Sequence, residues 1–273
     1  MKMTPTLMIV SGLFFTAVPN PFADNVNTSP CPTATGFLTR LQQAGGKSVP
    51  YSLYVPQDYD PTRQWPLVVF LHGAGERGTD GLRQTEVGIG RAIRRNPERF
   101  PCLVLMPQCP EEQFWDRISD AMDAMIATVR QEYNIDPRRI TLTGLSMGGY
   151  GTWTWGALRA DLFAAYLPIC GGGIPQDLNH ICSDFDPEFF GKLEDRVKQL
   201  ARRPIRAFHG QRDKTVPPAT SVLMTNLVRK AGGNVDLKIY PKLEHNSWDE
   251  TYGDPEVIEW LLNQRLPENE NPK

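Results

Sequence analysis

The chain has 273 residues, of which 40% are hydrophobic and 22% are charged, so it can bury the core of a mid-sized α/β protein. Its formal net charge is −2, and no block of five or six like charges occurs. This balance argues against nucleic acid or an anionic membrane as the main partner.

The first 23 residues differ from the rest of the chain. A short basic start precedes a largely apolar run from Leu7 to Val18, and Pro19 to Ala23 is rich in structure breakers. This pattern is typical of a secretory signal peptide cleaved near Ala23. The apolar run is short for a transmembrane helix, so we expect export without stable membrane insertion, with an uncleaved tether as the alternative. Residues 24–273 are then expected to form a single domain.

Beyond the leader, the pattern of apolar residues predicts strands that alternate with helices. We expect a loose entry segment from Asp24 to Ala44, which is rich in Asn, Thr, Ser and Pro. The predicted strands are Ser52–Val55, Leu67–Leu71, Leu103–Met106, Ile140–Thr143, Ala165–Ile169, Ile205–Phe208 and Val235–Tyr240. The predicted helices are Asp120–Tyr133, Tyr150–Ala160, Ala219–Lys230 and Pro255–Leu266. Such alternation predicts parallel βαβ units wound on both faces of one sheet.

The segment from Gly144 to Gly148 has the pattern G-x-S-x-G between a predicted strand and a predicted helix. A turn this tight strains its central residue, and the two glycines clear the space that the turn needs. Ser146 is therefore expected at the tip, beside the free N–H groups of the helix N-terminus. The alternative is a glycine-rich structural turn with an ordinary serine.

Three other predicted strands are followed by polar residues that suit a reacting centre. His72 follows the strand that ends at Leu71, His209 and Asp213 follow Phe208, and His245 lies in the loop after Tyr240. In a parallel sheet such groups gather at the carboxyl ends of the strands. A serine nucleophile needs a base within hydrogen-bond reach, and the base needs a carboxylate that orients it. The order of the loops predicts Ser146 as nucleophile, Asp213 as acid and His245 as base.

Other residues compete for these roles. Glu244 and Asp249 are alternatives for the acid, but they lie so close to His245 in sequence that good geometry with its ring is harder to reach. His209 is expected to form hydrogen bonds within the rim of the sheet, and His72 is expected to order its own loop.

A nucleophilic serine also requires N–H donors for the oxyanion that forms. The residue after the serine, Met147, supplies one backbone N–H, and Ala74 in the glycine-rich loop after Leu71 is expected to supply the second. A phosphate cradle is the alternative for this loop. It lacks both G-x-x-x-x-G-K-[ST] and G-x-G-x-x-G spacing, which argues against nucleotide binding.

Five cysteines leave at least one thiol unpaired: Cys31, Cys102, Cys109, Cys170 and Cys182. A Cys170–Cys182 or a Cys102–Cys109 disulfide is compatible with an exported protein, and buried thiols are the alternative. The spacing contains no C-x-x-C pair and no cluster of histidines, so a zinc site has little support.

Six motifs in order resemble the α/β-hydrolase superfamily, and more narrowly a group of secreted esterases described as phospholipase/carboxylesterase, feruloyl-esterase-like or prolyl-oligopeptidase-like. They are HGAGERG (72–78), MPQCP (106–110), GLSMGGYGTW (144–153), PICGGG (168–173), HGQRDKTVP (209–217) and EHNSWDETY (244–252). The resemblance implies an α/β-hydrolase fold with a mostly parallel, doubly wound sheet and a small cap or none. It also implies a Ser-His-Asp triad of Ser146, His245 and Asp213, oxyanion donors at Ala74 and Met147, and no metal or cofactor.

The implied activity is that of a secreted serine carboxylesterase that works through an acyl-enzyme on a small-molecule or polysaccharide-linked ester. A serine peptidase of prolyl-oligopeptidase-like type and a non-catalytic binding member of the fold are the competing functions. One departure is Glu244, which stands where this group usually has glycine. The resemblance also implies that Cys109 and Cys170 are common thiol positions near the sheet, which weakens a disulfide at either.

About 35 residues separate Ile169 from Ile205, which leaves room for a small cap and predicts a fairly open cleft. Trp115, Trp153 and Trp248 are candidates for its walls, where they would suit an aryl or sugar-linked acyl group, although each could equally belong to the core. The sequence does not specify the acyl group, the alcohol or the oligomeric state.

Overall fold

A computed structural model describes residues 34–174, 177, 184, 186 and 188–270. The chain from Ala34 onward forms one compact unit. The predicted signal peptide, Cys31 and Cys182 lie outside the described residues, so the predictions made for them stay predictions. Among the described residues, no helix is both long enough and apolar enough to cross a bilayer.

A sheet of eight described strands forms the centre of the unit, in the order β1-β2-β4-β3-β5-β6-β7-β8. The strands are β1 (Gly36–Ala44), β2 (Lys47–Val55), β3 (Trp65–Leu71), β4 (Leu103–Pro107), β5 (Ile135–Leu145), β6 (Tyr166–Ile169), β7 (Ile205–Gly210) and β8 (Val235–Tyr240). β2 pairs antiparallel with β1 and β4, whereas all the other pairs are parallel. The predicted mostly parallel sheet is confirmed.

Helices cover both faces of the sheet, as the alternation of elements predicts. They are α1 (Gly88–Arg95), α2 (Ser119–Glu132), α3 (Met147–Leu158), α4 (Leu193–Leu200), α5 (Ala219–Lys230), α6 (Trp248–Gly253) and α7 (Pro255–Leu262). Side chains from α2, α3, α4 and α5 pack into one apolar core, and those from α1, α6 and α7 pack into a second core on the other face. β3 carries buried side chains throughout because its alternate residues face the two cores.

The predicted loose segment from Asp24 to Ala44 is wrong for its last nine residues, which form β1. β1 and β2 are joined by Gly45 and Gly46, whose φ angles of 56° and 74° fit a two-residue hairpin turn of type I′. The composition of β1 is polar because β1 is an edge strand with half-exposed side chains. β1 is held by its pairing with β2 and by Phe37 and Leu38, which pack against the two cores, and composition alone does not report these contacts.

The parallel arrangement brings the carboxyl ends of β3, β5, β6, β7 and β8 to one edge of the sheet. The loops that follow these strands carry the predicted site residues. In the described part of the connection between β6 and β7, the one α-helix is α4, with eight residues. The small cap that the sequence predicts agrees with this short connection.

Candidate active site

Ser146 lies at the tip of the turn between β5 and α3, in a conformation that few residues adopt. Its backbone has φ 54° and ψ −118°, and its N–H donates to the Ile169 carbonyl at 2.9 Å. An added Cβ on Gly148 would overlap the carbonyl oxygen of Leu71, and one on Gly144 would overlap that of Gly148. The glycines are therefore required by contact between β3 and the start of α3, and this contact holds the serine in its strained conformation.

Ser146, His245 and Asp213 form a continuous chain of hydrogen bonds. The Ser146 Oγ lies 2.9 Å from His245 Nε2, and His245 Nδ1 lies 2.7 Å from Asp213 Oδ2. A carboxylate accepts only, so the imidazole carries its proton on Nδ1 and presents a bare Nε2 to the serine hydroxyl. This is the arrangement in which histidine removes a proton from serine. The His245 side chain is 22% exposed and that of Asp213 is fully buried.

The two alternative acids lie elsewhere. Asp249 forms an ion pair with Arg91 at 3.3 Å and accepts a hydrogen bond from Asn246. Glu244 is exposed to solvent. Of the three candidate carboxylates, only Asp213 contacts the His245 ring in the described structure.

The Asp213 carboxylate is held in its charged form by its donors. Oδ1 accepts from the backbone N–H groups of Thr215 and Val216, each at 2.9 Å, and Oδ2 accepts from His245 and from His209 Nε2 at 3.1 Å. Burial raises the pKa of Asp213, but the hydrogen bonds from both histidines and from Val216 outweigh burial and bring the pKa well below its ordinary value. His209 thus contacts the predicted acid directly, a link that sequence reasoning missed.

The two predicted oxyanion donors lie on different elements, Ala74 in the loop after β3 and Met147 at the start of α3. Ala74 begins a short 3₁₀ turn (Ala74–Glu76), and Met147 is the first residue of α3, so its N–H has no acceptor within the helix. The Glu76 carboxylate accepts from the Gly73 N–H at 3.0 Å and closes the turn. Burial raises the pKa of Glu76. A Cβ built on Gly73 would lie 3.5 Å from the Ser146 Cβ, so this turn lies against the serine.

His72 orders this loop, as the sequence analysis predicts. Its Nδ1–H donates to the Gly73 carbonyl at 2.6 Å, and its Nε2 accepts from the Cys109 N–H at 2.9 Å. Burial lowers the pKa of His72 to about 4, so the ring is neutral at pH 7. A neutral ring with one donor and one acceptor satisfies both contacts.

Two of the three predicted wall tryptophans lie in the core instead. Trp115 and Trp153 are completely buried. The Trp115 ring packs against Gly151 of α3, and the Trp153 side chain of α3 lies in the core between this helix and the sheet. Trp248 is partly exposed, and its ring meets that of His245 edge-on, with centroids 5.4 Å apart. Of these three tryptophans, Trp248 is therefore the one that lies beside His245 and Ser146.

The described cysteines are buried thiols, so the Cys102–Cys109 disulfide is not formed. Cys170 lies next to this hydrogen-bond chain, because its sulfur, an Asp213 oxygen and a His245 nitrogen lie within 4.8 Å of one another. A thiolate sulfur, a carboxylate oxygen and an imidazole nitrogen are ligand types for a soft metal ion. The hydrogen bonds already described engage both the carboxylate and the imidazole, so these groups belong to the hydrogen-bond chain of Ser146, His245 and Asp213.

The sheet order, the strained serine turn and the loops that follow β7 and β8 define an α/β-hydrolase fold. The chain belongs to the dienelactone hydrolase family, whose model matches residues 97–254. It is therefore a hydrolase by family.

Three known proteins show the range of this similarity. A thermostable esterase structure is 37% identical with a TM-score of 0.68, covering 84% of this chain and 63% of that one. A feruloyl esterase module from Clostridium thermocellum, complexed with sinapinate, is 17% identical with a TM-score of 0.60, covering 86% of this chain and 90% of that one. Dipeptidyl peptidase 8 of Mus musculus is 25% identical over 218 residues, which are 71% of this chain and 24% of that protein. The chain thus spans about a quarter of this curated relative.

Proposed function

We propose that the protein is a serine carboxylesterase in which Ser146, His245 and Asp213 act as the catalytic triad. The observation that carries the proposal is the pair of hydrogen bonds that joins Ser146 Oγ to His245 Nε2 and His245 Nδ1 to Asp213. The 37% identical esterase supports ester rather than amide substrates.

The geometry fits a two-step acyl transfer. His245 takes the hydroxyl proton as Ser146 Oγ attacks the ester carbonyl, and Asp213 stabilises the imidazolium. The N–H groups of Met147 and Ala74 are the proposed donors to the oxyanion. Collapse of the tetrahedral intermediate breaks the bond to the alcohol, which leaves with the proton from His245. Water, deprotonated by the same histidine, then attacks the acyl-enzyme. The bond between the acyl carbon and Ser146 Oγ breaks, the acid is released, and His245 returns the proton to Ser146 Oγ.

The test is hydrolysis of p-nitrophenyl acetate and butyrate by the wild type, Ser146→Ala and a matched serine control. Ser52→Ala is suitable because Ser52 is buried in β2 and its Oγ has no hydrogen-bond partner among the described residues. We expect kcat/KM to fall about 10⁴-fold in Ser146→Ala and to change little in Ser52→Ala. Wild-type turnover that survives Ser146→Ala would contradict the nucleophile.

The substrate is proposed to be a small or polysaccharide-linked ester, and longer acyl and feruloyl esters should be compared with acetyl. Trp248 supports an aromatic preference because its partly exposed ring lies beside His245. The similarity to dipeptidyl peptidase 8 makes a dipeptidyl p-nitroanilide the appropriate second substrate class. Amide turnover that exceeds ester turnover in kcat/KM would replace the esterase proposal by a peptidase.

Export is part of the proposal and rests on the apolar run from Leu7 to Val18 with its breaker-rich exit at Pro19 to Ala23. We expect the expressed full-length chain to be recovered outside the cytoplasm with a new N-terminus near Asp24. N-terminal sequencing of the recovered protein checks this, and an intact N-terminus in the cytoplasm would contradict it.

A further inference from the structure

Two histidines contact the same oxygen of Asp213. His245 Nδ1 approaches Oδ2 from the side of Ser146 at 2.7 Å, and His209 Nε2 approaches it from the interior at 3.1 Å. Only His245 takes part in the proposed mechanism. The second ring is completely buried at the end of β7, four residues before the carboxylate that it contacts.

The protonation pattern of His209 follows from its contacts. Nε2 faces two acceptors, Asp213 Oδ2 and the Val216 carbonyl oxygen at 2.9 Å, so Nε2 carries a proton. Nδ1 lies 2.8 Å from Ser221 Oγ on α5, and this hydroxyl also lies 2.9 Å from the Gly171 carbonyl oxygen. The ring is thereby fixed between the loop after β7, helix α5 and the loop after β6.

We propose that His209 is a positioning residue of the reacting centre, whose Nε2–H holds Oδ2 of Asp213 in the orientation that His245 requires. With Thr215 and Val216 fixing Oδ1, the carboxylate has a donor from the protein on both oxygens and cannot rotate when His245 takes up or releases a proton. This inference rests on the proposed function, because it takes Asp213 as the partner of the catalytic base.

Besides His209, the titratable groups near the Asp213 carboxylate in the described structure are His245, Cys170 and Tyr150. Two of these three groups are neutral near pH 7, so the pKa of Asp213 depends on its hydrogen-bond donors. His245 lies on one side, Cys170 within 4.8 Å comes from the loop after β6, and Tyr150 of α3 interacts with it electrostatically. Burial raises the pKa of the Cys170 thiol and of the Tyr150 hydroxyl, so both are neutral near pH 7. Loss of the His209 donor lets the His245–Asp213 pair take up a proton at higher pH.

The experiment compares pH profiles of kcat/KM for the wild type, His209→Leu and His209→Gln. In His209→Leu we expect kcat/KM at pH 7 to fall about 10- to 100-fold through kcat, and the acid limb to move to higher pH. His209→Gln should recover part of kcat/KM at pH 7 and part of the wild-type position of the acid limb, because its amide N–H can reach the position of the imidazole Nε2. Thr225→Val is the control for packing: Thr225 is buried one turn further along α5 and donates to the Ser221 carbonyl, so stability should fall without a shift of the acid limb.

An unmoved acid limb in folded His209→Leu would overturn the inference, as would a Thr225→Val profile that shifts equally. If His209→Leu does not fold, ¹⁵N-histidine spectra of the wild type and Asp213→Asn decide. We expect the ¹⁵N chemical shift of His209 Nε2 to be that of a protonated nitrogen in the wild type and to change in Asp213→Asn. An unchanged chemical shift would overturn the proposal. Failure of the proposed function would give a different result: the wild type would show no ester hydrolysis that depends on Ser146.

Discussion

The indole Nε1 of Trp115 donates a hydrogen bond of 3.1 Å to the carbonyl oxygen of Met147, the residue after the proposed nucleophile. The same ring meets His72 edge-on, with centroids 4.9 Å apart. One buried side chain therefore joins the start of α3 to the loop that carries Ala74. Trp115 thereby supports the two segments that carry the proposed oxyanion donors, Met147 and Ala74.

Trp115→Phe should lower both activity and stability. The change removes one hydrogen bond to the carbonyl of Met147, which costs about 0.5–1.5 kcal/mol of unfolding free energy, and should reduce kcat/KM several-fold. Trp153→Phe is the matched control, because Trp153 is equally buried but its Nε1 has no hydrogen-bond partner among the described residues. Urea unfolding and ester kinetics measure the difference. Equal losses in both variants would show that ring volume matters and the hydrogen bond does not.

Gly148→Ala should abolish most activity, whereas Gly75→Ala should be nearly neutral. A Cβ at position 148 would overlap the Leu71 carbonyl, so β3 and α3 must separate, and we expect a loss above about 2 kcal/mol in stability. A Cβ at position 75, in the loop after β3, meets no described heavy atom within 4 Å. Thermal unfolding and kcat/KM test both. A stable, active Gly148→Ala variant would disprove the contact argument.

His72 should make the protein less stable in mild acid. Its folded-state pKa of about 4 lies below the ordinary value near 6.5, so the unfolded chain binds the extra proton first as the pH falls. Stability that is fully present above about pH 6.5 is lost progressively down to about pH 4, by an amount on the order of 3 kcal/mol. Urea unfolding between pH 7 and pH 4 measures the slope. The unfolding free energy of His72→Gln should depend less on pH between pH 7 and pH 4. If it falls as steeply as that of the wild type, another group causes the effect.

The stability that Asp213 contributes should also be lost as the pH falls, but at lower pH than the contribution of His72. Because the pKa of Asp213 is lowered on folding, its carboxylate contributes stability above its unfolded-state pKa near 3.9, and this is lost as the pH falls through the lower folded-state value. The wild type should therefore exceed Asp213→Asn in stability at pH 7, and the gap should narrow toward pH 2. Activity at pH 7 should fall about 10³- to 10⁴-fold. A stability gap that is independent of pH would contradict this assignment of the charge.

The three residues of the proposed triad could be located from sequence because each follows a strand with a clear pattern. Ser146 sits in a motif whose glycines are required by backbone contact, and Asp213 and His245 lie in short loops after β7 and β8. Parallel strands bring these loops to one edge whatever the details of packing. This is why loop order sufficed to predict which side chains the structure brings together.

Features that depend on packing between distant segments were not predictable in the same way. β1 is specified by its partner β2, although the Gly45-Gly46 pair was a readable hairpin signal. The burial of Trp115 depends on Gly151 of another element leaving room for its ring. The contact between His209 and Asp213 spans only four residues, but it requires the chain to turn back after β7, and a motif alone does not give that geometry.

The left-handed backbone of Ser146 has an evolutionary consequence. Glycine tolerates φ 54° without the strain of a side chain, so Ser146→Gly would gain on the order of 1 kcal/mol in stability while removing the proposed nucleophile. A library screened for heat resistance alone would therefore enrich inactive chains at this position. A laboratory selection for a more stable enzyme has to include turnover as a criterion, because stability favours glycine at position 146 and the proposed catalysis requires serine.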